Sequence, residues 1–132
     1  MSRVSLSWTI GNGGSCRGGN QANVEWPEIE TLLEQIRSQS GSLTLYDIDP
    51  PMPGPQIFQV FSDQGYFLLM LGEDDGRDYR VRSFSNMDAR SGQIELLGDL
   101  WDSRMVCSDL DIVKQVVKEY LETGDVAHSR LN

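Results

Sequence analysis

Val4, Leu6, Trp8 and Ile10 share one parity in "VSLSWTI", which predicts a half-buried strand over residues 4–10. A different rhythm follows in "WPEIETLLEQIRSQ". There Ile29, Leu32, Leu33 and Ile36 fall at i, i+3, i+4 and i+7, the stripe of a helix over 26–39. Pro27 suits its first turn, Glu28 and Glu30 complement its positive end, and Gly41 lies just past its stop. "SLTLYDI" (42–48) alternates again, with Leu43, Leu45 and Asp47 against Thr44, Tyr46 and Ile48, so the buried parity stays open. Four prolines in "DPPMPGP" break the chain before the next run. "QIFQVF" (56–61), "YFLLML" (66–71) and "DYRVRSF" (78–84) then read as strands joined by turns in "SDQG" and "GEDDGR". "QIELLGDLW" (93–101) reads as one further strand with Gly98 as a bulge or bend.

The last periodic segment is "SDLDIVKQVVKEYLETG" (108–124). Leu110, Val113, Val117 and Tyr120 form its stripe, with Val116 and Leu121 at the margins. Ser108 and Asp111 approximate a capping box, and Gly124 supplies the stop. Several strands follow one another without intervening helices, which argues against a doubly wound parallel sheet. The pattern predicts a single α+β domain over 1–132, with a mainly antiparallel sheet of about five or six strands and two main helices packed against it. Ile29, Leu32, Leu33, Ile36, Val113, Val117 and Tyr120 should be buried. Val126 and Leu131 are placed to return the closing tail against the sheet.

Charge narrows the function classes. Twenty acidic side chains oppose 11 basic ones, giving a net charge of -9 and a pI near 4.4. Such a field repels nucleic acid unless a local patch overcomes it, and the one candidate, Arg77, Arg80 and Arg82, has Asp78 among it. The acidity serves solubility, or it steers a basic protein partner. No apolar run approaches the roughly 20 residues of a membrane span, and the first residues lack a secretory signal pattern. Membrane insertion is not expected, and a cytoplasmic location is.

Candidate chemistry is sparse. The glycine-rich stretch "GNGGSCRGGN" (11–20) lacks the Lys-Ser/Thr of a phosphate loop, so a mobile loop or hairpin that binds no nucleotide is expected. Cys16 and Cys107 are too few for a disulfide scaffold or thiolate zinc site. Cys107 precedes a helix start, where a lowered pKa is conceivable, but a buried, inert thiol is the expected state. His128 is the only histidine, and "EDDGRD" lacks a Ca²⁺-loop pattern. The expectation is a non-enzyme with no catalytic residue, cofactor or metal. Between Glu73 and Asp111 ten acids face five arginines, and turns and strand ends present those acids outward. Glu73, Asp74, Asp75, Asp78, Asp99 and Asp102 are therefore the candidate partner-binding acids. Tyr79 and Trp101 are the candidate anchors, with Tyr46 and Tyr66 as further aromatics that serve either a partner or the sheet core.

The order of elements, with "LLEQI" after an N-terminal strand, "GYFLLML" in the meander and "VCSDLDIVKQVVKEYLETGDV" at the close, resembles the Imm-one family of bacterial immunity proteins. In that family the glycine that closes "YLETG" is commonly followed by Pro and, a few residues later, Trp. Here Asp125-Val126 stand in that region and no Trp follows. The resemblance implies an antitoxin role in polymorphic or contact-dependent systems. Its cognate partner would be a basic toxin domain, expected to act on nucleic acid. A non-catalytic adaptor or regulatory domain is the alternative reading, and a small-molecule enzyme is the third.

Overall fold

Strand alternation and helical stripes meet along one surface. In the computed structural model, residues 4–11, 16–86 and 88–132 are described. The strands are β1 (Val4–Ile10), β2 (Arg17–Gln21), β3 (Gly41–Asp47), β4 (Gly54–Asp63), β5 (Tyr66–Asp74), β6 (Tyr79–Ser83), β7 (Gln93–Leu96) and β8 (Asp99–Asp102). The helices are α1 (Trp26–Gln39) and α2 (Leu110–Thr123), with one 3-10 turn at Ser103–Met105. Among the described residues, six strands form one antiparallel sheet in the order β2-β1-β3-β4-β5-β6, and β7 and β8 form a separate hairpin. The fold is α+β, as the periodicity predicts.

Register decides which side chains go inside. Leu6, Leu45, Phe58, Leu71 and Arg82 lie in one row across five strands, and Trp8, Leu43, Val60 and Leu69 lie in the next. Both rows face the helices. Ile29, Leu33 and Ile36 of α1 and Val113, Val117 and Tyr120 of α2 are fully buried against them, while Leu32 is half-buried at the margin. Val116, placed at the stripe's margin by sequence, is buried as well. The parity of β3 is resolved in favour of Leu43 and Leu45, and Tyr46 points to the opposite face.

One open alternative is resolved and two local expectations change. The glycine-rich stretch takes the hairpin alternative rather than the loop, since residues 17–21 form β2, antiparallel to β1 on the sheet edge. Residues 12–15 of that expected mobile loop lie outside the described residues. The run 93–101 is not one strand: it folds back at Leu97-Gly98, both at positive φ (53° and 88°), into the β7–β8 hairpin. Finally, α2 begins one residue later than its capping-box pattern suggests. Asp109 is the N-cap and accepts from the Asp111 N–H, while Gly124 closes the helix with φ 80°.

The tail does return. Val126 and Leu131 join the main core, and Asn132 exchanges both backbone hydrogen bonds with Ser83 on the β6 edge. Arg82 holds this segment. It is buried, its Nη2 donates to the carbonyls of Val126 (2.5 Å) and Leu131 (3.1 Å), and its Nη1 donates to Asp125 at 3.0 Å. Among the described residues, no helix is long and apolar enough to cross a membrane.

Candidate functional site

Both helices and the tail pack on one side of the sheet, and the other side is covered at one end only, by the β7–β8 hairpin. Ser5, Tyr46, Ile57, Gly72 and Val81 form one row of this open face, and Ser7, Thr44, Gln59, Met70 and Ser83 form the next. The β1–β3 half therefore presents mostly serine and threonine, and the β4–β6 half mostly apolar groups. Gly72 has a specific role there. The Tyr79 ring lies over it, so that a Cβ at position 72 would overlap the Tyr79 hydroxyl and come within 2.6 Å of the ring Cζ. Tyr46, Ile57, Tyr79 and Val81 thus make an apolar ribbon across β3 to β6. Ile48 and Met52 in the proline-rich connection lie at the same end of the strands. Five of the eight exposed large hydrophobic side chains among the described residues, Tyr46, Ile48, Met52, Tyr79 and Val81, belong to this region. Large apolar groups exposed together, rather than singly, are what mark an interaction surface.

The acidic β5–β6 turn borders the ribbon. Asp75 organises it by accepting from the backbone N–H groups of Asp78 (2.7 Å) and Arg77 (2.9 Å) and pairing with Arg80 at 3.0 Å. Those backbone bonds, chiefly the one from Asp78, hold its carboxyl below the usual aspartate range. Asp74 accepts from the Gly76 N–H, and Asp78 is exposed. Glu73 departs from the sequence expectation. It sits on the parity of Leu71 and faces the buried Arg82 at 3.5 Å, on the helix side, so it stabilises the fold rather than the open face.

At the other end of the face the β7–β8 hairpin folds over β4 and β5. Leu96 and Val106 bury against Leu68, with Phe61, Met70, Ile94 and Trp101 packed around them. The hairpin tip is pinned by the Leu97 N–H donating to Asp63 at 2.9 Å. Between hairpin and sheet lies a cleft of about 260 Å³, floored by Phe61, Leu68 and Met70, walled by Leu96 and Trp101, with Asp99 also lining it. Trp101 is half-buried in this wall, while Asp102 on the outer parity accepts from Arg104 and pairs with its guanidinium at 3.1 Å. That bond to the Arg104 side chain lowers the Asp102 pKa.

The eight candidate residues therefore fall into two groups. Asp74, Asp75, Asp78 and Tyr79 gather at the turn end, with Glu73 turned to the other side; Asp99, Trp101 and Asp102 gather at the hairpin. Asp74 lies six residue steps along β5 from Leu68, roughly 20 Å of extended chain. Sequence reasoning missed Ile57, Val81, Phe61 and Met70. The available signal was that "QIFQVF" and "YFLLML" carry apolar residues on both parities, more than a strand with one solvated face needs. The arginine patch dissolves: Arg82 is buried and Arg80 is paired with Asp75. Cys107 is buried, and burial pushes its thiol up, opposite to a reactive thiolate.

The chain belongs to a family of unknown function (DUF6911), whose model matches residues 7–130. Among solved structures it is similar to the crystal structure of a hypothetical protein from Neisseria gonorrhoeae, with a TM-score of 0.81 and 16% identity over 96% of this chain and 92% of that one. Likeness at that identity shows the shared fold. No curated protein matches the chain.

Proposed function

We propose that this protein is a non-catalytic, cytoplasmic immunity protein that binds a basic toxin domain acting on nucleic acid and neutralises it by covering its substrate surface. The observation that carries the binding role is the open sheet face, where an exposed apolar ribbon meets an acidic turn. An apolar centre with a charged rim is the composition of a protein interface, in which the centre resists dissociation and the rim steers encounter. A net charge of -9 favours a basic partner, and a nucleic-acid enzyme offers a basic cleft. The toxin assignment rests on the resemblance in "VCSDLDIVKQVVKEYLETGDV". Inhibition by occlusion needs only the surface and no catalytic group.

The test is co-purification with the product of the neighbouring upstream gene, followed by rescue of cells expressing that product. Val81→Glu places a charge in the ribbon at an exposed site and should abolish both binding and rescue while leaving thermal stability intact. Asp78→Arg, at an exposed acid outside the turn's side-chain hydrogen bonds, should slow association and weaken its salt dependence. Failure of any neighbouring product to bind or be neutralised rules out immunity. Binding without relief of toxicity favours the adaptor reading. Binding indifferent to both substitutions puts the interface elsewhere.

A further inference from the structure

We infer that the cleft beneath the β7–β8 hairpin receives one arginine side chain of the partner, its stem between Met70 and Leu68 and its guanidinium against Trp101 and Asp99. The inference rests on the proposed binding role and specifies the chemistry of its anchor.

The cleft's lining is apolar except for Gln59 and Asp99, and Asp99 is its only charged residue. No hydrogen bond or ion pair joins the Asp99 carboxylate to another described side chain. Asp99 is exposed at the mouth of the cleft, so a purely apolar occupant would fill the floor but leave that charge without a counterpart. A cation on a long aliphatic stem uses both, pairing with Asp99 at the mouth and covering Phe61, Leu68 and Met70 below. Arginine fits better than lysine, because its planar guanidinium both stacks on an indole and offers paired N–H donors to a carboxylate. The volume agrees. About 260 Å³ lies just below the roughly 300–1,000 Å³ usual for small-molecule sites. It suits a single side chain.

The cleft is also formed in advance. Asp63 holds the hairpin tip, the Ser103 N–H donates to the Gly92 carbonyl at 3.0 Å, and the Asn86 N–H donates to the Arg104 carbonyl at 2.7 Å. Both ends of the hairpin are tied, so an entering side chain orders little of the protein.

The probe is acetyl-arginine methylamide, titrated while the Trp101 indole N–H and the Leu68 and Leu96 methyl signals are followed by NMR. Saturable shifts in those groups are expected in the millimolar range. Acetyl-citrulline methylamide, neutral and nearly isosteric, should bind at least about tenfold more weakly, which is the effect of one lost charge contact of about 1.4 kcal/mol. Asp99→Asn should weaken the arginine probe similarly with an unchanged melting temperature. Equal binding of citrulline, shifts confined to the β5–β6 turn, or no saturation by about 100 mM overturns the inference. The probe requires no toxin. Its failure alongside intact rescue therefore removes the arginine site alone, and its success without rescue removes immunity alone.

Discussion

Replacing Arg82 by methionine keeps an unbranched side chain but deletes the guanidinium donors that reach the tail. Arg82 is 4% exposed, and its Nε adds a 3.2 Å bond to the Leu131 carbonyl besides the two made by Nη2. Without it, the carbonyls of Val126 and Leu131 lose their guanidinium donors, at about 1–3 kcal/mol each if they stay buried. Glu73 also loses its cation, but that carboxylate is only part-buried and the contact is 3.5 Å, so this loss costs about 1 kcal/mol or less. These figures overlap, so they do not add. An upper limit comes from the alternative of letting the tail go. Release exposes Val126 and Leu131, worth about 1.5–3 kcal/mol each, and the Ser83–Asn132 pair. Arg82→Met should therefore cost about 3–5 kcal/mol.

Urea unfolding gives the total, and amide hydrogen exchange gives its location. Residues 126–132 and Ser83 should lose protection first, with α1 and the central strands retaining theirs. Glu73→Gln removes only the 3.5 Å contact and should cost about 1 kcal/mol or less. Arg82→Lys keeps the charge but not the planar fork, so it should fall between the two. An Arg82→Met protein within about 1 kcal/mol of the parent, with its tail amides still protected, refutes this account of the tail.

Val117→Ala, at a fully buried position of α2, should lower urea stability by about 1–3 kcal/mol, and a value near zero contradicts the packing of α2 on the sheet. Gly72→Ala should drive the Tyr79 ring off β5, visible as altered Tyr79 ring signals in NMR; unchanged signals deny the contact. Burial, with a smaller contribution from Asp47, pushes the Tyr120 phenol from 10.0 up to about 12. A raised folded-state pKa means that the unfolded chain ionises first, so the contribution is fully present below pH 10 and is lost between pH 10 and 12. Its size is on the order of 2–3 kcal/mol, and Tyr120→Phe should flatten that part of the alkaline stability profile.

Helices and most strands were legible because their signal is local and repeats. Residues 26–39 declare their face four times over, and the α1 bounds follow directly. The β7–β8 turn was not legible because it places Leu97, rather than Asn or Asp, at positive φ. What holds it there is Asp63, 34 residues away in sequence, and no short window contains both. Glu73 was misplaced for a related reason. Proximity to an acidic turn suggested solvent, while its parity and the buried Arg82 put it on the helix side. Aromatic exposure followed the same rule: register alone separates Tyr46 on the open face from Leu45 in the core.

The way Arg82 meets its partners also sets an order of events during synthesis. The meander from β3 to β6 needs only neighbouring hairpins and can pair as it leaves the ribosome. Arg82 then stands in the last strand of that meander, while Asp125, Val126 and Leu131 follow it by 43, 44 and 49 residues. Until those residues are made, the nascent sheet carries an uncovered cation where its core should be, and the β6 backbone at Ser83 lacks its partner in Asn132. A nascent chain with residues up to Ser85 outside the ribosome and residues 125–132 still enclosed or not yet made would thus display a half-finished sheet with an open edge, a substrate for chaperones or for pairing with another chain.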